Sequence, residues 1–234
     1  MLDVGGESTR PGAAFVPEEE ELDRVLPVIE GLRARTPVPI SIDTRKPAVA
    51  AAAVAAGASV WNDVSALTYA EDSLATAARL GVPVVLMHAQ GDPATMQQDP
   101  CYEDVVSETI AFLRARIDAA HAAGVTGIVA DPGIGFGKTL DHNLALLRNL
   151  EAFTALGVPM MLGASRKRLI ATLDRDGPAD DRLGGSLALA LRAAEAGWAW
   201  VRVHDVAATR QALAVFGAVH ASEGGSGHAS PDPS

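Results

Sequence analysis

The stretch Asp131-Pro132-Gly133-Ile134-Gly135-Phe136-Gly137-Lys138 sets a carboxylate at the end of the apolar run 127–130 and follows it at once with three glycines and a lysine. An acid at a strand end, then a glycine-rich turn opening a helix, is a common way for α/β proteins to face backbone N–H groups toward a polar ligand. Taken alone the glycines are equally consistent with a tight βα turn, and their order is not that of a P-loop. The neighbouring strand ends must decide between the two.

Alternation along a strand sends residues two apart to the same side. In Trp200-Val201-Arg202-Val203-His204-Asp205 this pairs Arg202 with His204, a guanidinium fork and a tunable donor suited to an anion. The alternative for each is structural: Arg202 paired with a barrel acid, His204 simply hydrogen-bonded. Asp205 falls on the opposite face and is expected to cap the next helix. In Ile40-Ser41-Ile42-Asp43 the same alternation turns Asp43 inward beside Ser41, and Asn62 and Met87 end the next two strands. Asp43, Asn62 and Asp131 together are two acids and an amide, a set that would accept from a flat heterocycle bearing N–H and amino donors. Gly163-Ala164-Ser165-Arg166-Lys167-Arg168 places three cations in succession and predicts a focused positive patch. The loop Gly5 to Gly12, with Ser8, Thr9, Arg10 and Pro11, is flexible at its glycine ends and could close over a phosphorylated substrate.

The elements that must hold these residues follow from hydrophobic period. Short Val/Ile-rich runs at 1–4, 38–43, 59–64, 82–88, 127–131, 158–163 and 200–204 alternate with helical patterns near 17–35, 47–56, 71–80, 101–123, 140–156, 180–196 and 206–216. Repeated βα units predict a parallel sheet. Polar residues end nearly every strand, whereas an open doubly wound sheet gathers its ligands at one switch point. The pattern therefore favours a (β/α)8 TIM barrel with its first βα unit missing, because the first strand begins at Met1. Residues 1–220 form the barrel domain in this reading, and 221–234, rich in Gly, Ser and Pro, a disordered tail. Segment 177–181 reads as part of a long loop.

Hydrophobic residues make up 48% of the chain but aromatics only 4%, so small side chains must do much of the helix-to-sheet packing. The net charge of -10 disfavours nucleic acid and anionic membrane surfaces as partners. One cysteine, Cys101, excludes an intramolecular disulfide. No apolar run approaches the roughly 18 residues of a membrane span, and the cytoplasm is the expected location.

Together, Leu2-Asp3-Val4-Gly5-Gly6-Glu7-Ser8-Thr9-Arg10-Pro11-Gly12, Ser41-Ile42-Asp43-Thr44, Trp61-Asn62-Asp63, Leu86-Met87-His88, the Asp131 to Lys138 stretch, Ser165-Arg166-Lys167 and Arg202-Val203-His204-Asp205 resemble the dihydropteroate synthase family, in order from Leu2 to about Gly217. The resemblance implies a barrel transferase that joins 4-aminobenzoate to 6-hydroxymethyl-7,8-dihydropterin diphosphate, releasing pyrophosphate in folate biosynthesis. It implies a pterin site of Asp43, Asn62, Met87, Asp131, Phe136, Gly163 and Lys167. Arg202, His204 and Arg10 would hold the diphosphate, and Ser8, Thr9, Arg10, Pro11 and Lys167 the aminobenzoate. It further implies Mg2+, a homodimer and sensitivity to sulfonamides.

Two departures stand out. The family's opening strand and its Asn-bearing loop, which helps bind Mg2+, have no counterpart here, so the metal ligands are unknown and the site is expected to lack one wall. Arg168 stands where many relatives carry a serine that contacts aminobenzoate. The rival readings are a non-catalytic pterin-binding homologue and, with less support, a methyltetrahydrofolate methyltransferase-type barrel.

Overall fold

The computed structural model describes residues 1–9, 12–91 and 95–220. Seven parallel strands run in chain order: β1 (Leu2–Gly5), β2 (Ile40–Asp43), β3 (Val60–Asp63), β4 (Val84–Met87), β5 (Ile128–Asp131), β6 (Met161–Leu162) and β7 (Trp200–Val201). Strands β1 to β5 form one sheet in sequential order, β6 pairs with β7, and a parallel bridge from Ala130 to Met160 joins the two groups. Helices α1 (Glu18–Arg33), α2 (Pro47–Ala55), α3 (Ser73–Leu80), α4 (Val105–Ala122), α5 (Leu140–Arg148), α6 (Arg168–Leu173), α7 (Leu183–Glu195) and α8 (Val206–His220) return the chain between strands. This is the (β/α) barrel architecture, with β1 and β7 not hydrogen-bonded to each other among the described residues.

Strand alternation divides the core into two layers. Ile40, Ile42, Trp61, Leu86, Ile128 and Leu162 point outward and bury against helix residues such as Val25, Ile29, Val49, Leu113 and Leu146. Val60, Val85, Val129 and Met161 point inward and pack with Trp200 into an apolar floor. Two residues further along each of those five chain segments stand Asn62, Met87, Asp131, Gly163 and Arg202. One step of the pleat above the floor, the barrel interior becomes polar.

Local signals explain four of the helix ends. Asp104 accepts from the N–H groups of Val106 and Ser107, capping α4. Thr139 and His142 form a reciprocal capping box at α5, and the His142 ring also meets the Tyr102 ring edge-on at 4.9 Å. Gly81 and Gly157 end their helical segments in the left-handed conformation.

Four expectations need correction. The helix expected over 140–156 breaks at Asn149 into α5 and a 3-10 segment, Leu150–Leu156. The last two strands are two residues each, shorter than the runs expected over 158–163 and 200–204. A short helix, α6, follows β6 in addition to α7, so that unit carries two helices. Part of the segment read as loop is a 3-10 turn, Ala179–Arg182. The tail expected from 221 lies outside the described residues.

Candidate functional site

The polar layer converges on one cluster at the C-terminal ends of the strands, where barrel proteins place their sites. Asp131 is buried at the end of β5, and its Oδ1 accepts from the Gly133 N–H at 2.7 Å. That bond requires the left-handed turn at Gly133 (φ +68°), where a Cβ would sit 1.9 Å from the His88 carbonyl oxygen. The glycine is therefore a packing necessity as well as a turn residue. Gly163 faces the other carboxylate oxygen, and a Cβ there would lie 3.4 Å from Asp131 Oδ2.

Lys167 reaches across from the β6 end. Its Nζ donates to the Ile134 carbonyl and lies 4.5 Å from the centroid of the Phe136 ring. Burial lowers its pKa to about 8, against the opposing pull of Asp131. Asp131 itself is raised, chiefly by burial, with Lys167 and the Gly133 N–H holding it down. Met87 pairs in register with Asp131 and lies beside Gly133.

On the opposite side, Asp43 and Asn62 are register partners on β2 and β3. Arg202 reaches this side from beyond β7 and bridges two acids: its Nη2 donates to Asp43 Oδ2 at 2.8 Å and its Nε to Asp3 Oδ2 at 2.5 Å. Asn62 Nδ2 also donates to Asp3 Oδ2, at 3.3 Å. Burial and the negative charge of Asp3 push Asp43 up to about 7, with Arg202 opposing. The seven residues expected around a heterocycle thus gather at one end of the barrel, Met87 and Phe136 lining a cleft there. The structural alternative for Arg202 also holds in this state, since it pairs with two barrel acids.

His204 meets Ser165, whose Oγ lies 3.1 Å from His204 Nδ1 and accepts from its backbone N–H. Thr9 lines a cleft of about 160 Å3 with Met87 and Phe136, next to the pocket. Ser8 is exposed beside it, while Arg10 and Pro11 lie outside the described residues. The expected positive patch is not formed, because its three cations diverge. Arg166 makes a bidentate pair with Asp205 (2.9 and 2.6 Å), Lys167 turns into the pocket, and Arg168 is exposed at the start of α6. Asp205 is accordingly an ion-pair partner, and the α8 side chain of Thr209 takes its carbonyl rather than its carboxylate.

Three groups escaped the sequence reading. Asp3 occupies the same inward alternation as Asp43 and could have been found by that signal. Lys138 is buried, donating to the Gly133 and Phe136 carbonyls (3.1 and 3.0 Å) and to His88 Nδ1 (2.9 Å). It thereby ties the glycine-rich loop to β4. Burial lowers Lys138 to about 7 and His88 to about 3, so His88 is neutral and accepts. Glu7 is the third: its carboxylate accepts from Val16 N, Arg45 and Lys46, anchoring the loop that carries Ser8 and Thr9 to the start of α2.

The fold and site define a (β/α) barrel protein that recognises a polar, donor-bearing ring between buried acids and cations. Residues 1–204 match the family described as pterin binding enzyme, and the chain belongs to that family. It is 46% identical over 219 residues to the dihydropteroate synthase of Haemophilus influenzae, covering 92% of this chain and 78% of the relative. Among solved structures it resembles the Yersinia pestis dihydropteroate synthase with a sulfonamide drug complex (TM-score 0.91, 43% identity, 94% of this chain and 80% of that one). It also resembles the Xanthomonas albilineans dihydropteroate synthase with 4-aminobenzoic acid (TM-score 0.89, 51% identity, 94% and 79%). No helix among the described residues is long and apolar enough to cross a membrane.

Proposed function

We propose that this chain is a dihydropteroate synthase, a transferase that joins the pterin methylene of 6-hydroxymethyl-7,8-dihydropterin diphosphate to the amine of 4-aminobenzoate. The observation that carries the reading is the buried Asp131 carboxylate, bonded on one oxygen to Gly133 and open on the other toward Gly163, between Lys167 and Met87. The guanidine-like edge of a pterin supplies the paired N–H donors that such a carboxylate accepts best. Asp43 and Asn62 accept along the rest of the ring, Phe136 and Met87 pack its faces, and Lys167 donates to an acceptor edge. The absence of a Cβ at Gly163 leaves the ring room beside Asp131.

In this reading Arg202 and His204 receive the diphosphate, with Arg10 of the covering loop. The C–O bond to the diphosphate breaks with its electron pair leaving on oxygen, and the ring delocalises the positive character left on the methylene. The arylamine nitrogen then forms the C–N bond and sheds a proton to solvent. The cations stabilise the departing charge, so no protein nucleophile is needed. Ser8, Thr9 and Pro11 close over the aminobenzoate, with the stem of Lys167 beneath it, and a sulfonamide would compete there. Mg2+ would neutralise the diphosphate further. Among the described residues, however, no three His, Cys, Asp or Glu side chains converge to hold an ion, so no step here is routed through it. Exposed Val215 and Val219, one turn apart on α8, support a homodimer through that face.

The test is pyrophosphate release by the purified chain. Release that requires both substrates supports the reading, and pterin binding with no release would replace it with a binding role. The pH profile adds a sharper expectation. Asp43 must be ionised to accept, with a pKa raised to about 7, and Lys167 must be charged to donate, with a pKa lowered to about 8. Hence kcat/KM should follow a narrow bell, rising through about pH 7 and falling through about pH 8. A flat profile from pH 6 to 9 would exclude these two groups from binding.

Gly163→Ala separates site from fold. The added methyl meets Asp131 Oδ2 at ordinary contact distance, so the melting temperature should stay within about 4 °C, a change of roughly 1 kcal/mol or less. It occupies the space proposed for the ring, and the KM for the pterin substrate should rise roughly tenfold, the effect of about 1.4 kcal/mol.

A further inference from the structure

We propose that Asp3, inside β1 and level with Ser41, is a positioning residue that fixes both Arg202 and Asn62 in the orientations the pterin diphosphate requires, an inference that rests on the function proposed above. One oxygen, Asp3 Oδ2, receives the Nε of Arg202 at 2.5 Å and the Nδ2 of Asn62 at 3.3 Å. A carboxylate only accepts, so it dictates which end of the Asn62 amide faces it. The nitrogen is held by Asp3, and the amide oxygen is left to accept from the ring. Without that charge the amide could present its NH2 to a ligand that itself offers N–H, and the discrimination would be lost.

For Arg202 the consequence concerns which donors are committed. The chain holds Nε on Asp3 and Nη2 on Asp43. When a ring occupies Asp43, that carboxylate has a competing set of donors, whereas Asp3 stands one strand further away, on β1. The Nη2 end is then the part that can be released to the diphosphate, with Nε still held on Asp3 as the pivot. Arg202 is about half exposed, a long side chain with no other acid bonded to its guanidinium among the described residues, so the pivot sets its direction. The same contact links β7 to β1, which share no backbone pairing among the described residues. The other oxygen, Asp3 Oδ1, is buried and bonded to nothing in the described protein.

The experiment uses Asp3→Asn, which keeps the shape and removes the charge, in the purified 234-residue chain. Steady-state pyrophosphate release and 15N NMR of the Arg202 Nε–H and Asn62 side-chain amide, assigned with Arg202→Lys and Asn62→Asp, are read together. The expected result is a 10- to 100-fold loss in kcat/KM for the pterin diphosphate, the scale of one charge-assisted hydrogen bond. The KM for 4-aminobenzoate should change less than about twofold, and both side-chain resonances should move together. A purely structural role would raise both KM values alike, and that outcome overturns the proposal. Unmoved resonances overturn it as well, as does unchanged kcat/KM beside an active unsubstituted chain. If the unsubstituted chain releases no pyrophosphate, the functional reading fails, while the resonances still decide whether Asp3 positions Arg202 and Asn62.

Discussion

Asp131→Asn is expected to lower kcat/KM for the pterin substrate by roughly two to three orders of magnitude while leaving the protein as stable as before, or more so. The two halves of this result have one cause. Asp131 is buried, and its raised pKa means that the ionised form destabilises the fold at neutral pH. The sign follows directly: the folded chain binds a proton more readily than the unfolded chain, so stability falls as pH rises above the ordinary carboxylate range toward the raised value. An asparagine keeps an acceptor for the Gly133 N–H, held now at 2.7 Å, and removes the buried charge. Its other atom becomes an NH2 aimed where the ligand also offers N–H. Leaving donors facing donors in a buried site costs about 2 to 5 kcal/mol of binding, which is the expected loss. A second effect accompanies it. Asp131 opposes the burial that lowers Lys167, so without it the Lys167 pKa drops further and the alkaline limb of the pH profile should move to lower pH. Thermal melting and kcat/KM against pH check both halves. A variant that is both inactive and several degrees less stable would mean that Asp131 serves the fold, and a variant with near-normal kcat/KM would remove it from the pterin site.

The fold was legible because its signals are local. Apolar runs that alternate with helical periods gave all seven strands in their correct order, and alternation within Ile40 to Asp43 correctly turned Asp43 inward beside a buried Ser41. Strand ends likewise grouped Asp43, Asn62 and Asp131, because a parallel barrel brings the ends of all its strands to one rim. What escaped was long-range. Nothing near Arg166 announces that its guanidinium turns away to Asp205, 39 residues on, so three consecutive cations read as a patch when they are three separate roles. Lys138 looked like the last letter of a glycine-rich motif, and only its approach to His88, 50 residues away, reveals it as the peg that holds the loop. Glu7 reads as part of a flexible lid, whereas its buried partners make the root of that loop one of its most tightly held points.

That root supplies the second large effect. Lys46→Met should lower stability by about 3 to 5 kcal/mol, or roughly 6 to 20 °C in melting temperature for a chain of this size. Lys46 Nζ donates to Glu7 Oε2 at 2.8 Å and to Glu21 Oε2 at 2.6 Å, and all three side chains are at most 3% exposed. Methionine fills similar volume but donates nothing. Glu7 keeps Arg45 and the Val16 N–H, but Glu21, whose Oε1 already has no partner, loses the bond on its other oxygen and becomes an uncompensated buried charge. The pH dependence carries its own sign. Lys46 is raised by its two acids, so its contribution is complete below the ordinary lysine pKa and lost as pH rises beyond it. Glu7 is lowered despite its burial, through Lys46, Val16 N and Arg45, so its contribution is present above the ordinary glutamate pKa and lost in acid. The gap in melting temperature between the original chain and the variant should therefore be widest between roughly pH 5 and 10 and shrink below pH 4. Adding Glu21→Met to Lys46→Met removes the orphaned charge and should recover at least half of the loss, since replacing a whole buried pair costs far less than breaking one. Equal destabilisation in the single and double variants would show that packing, not charge, holds the base of the loop that carries Ser8 and Thr9.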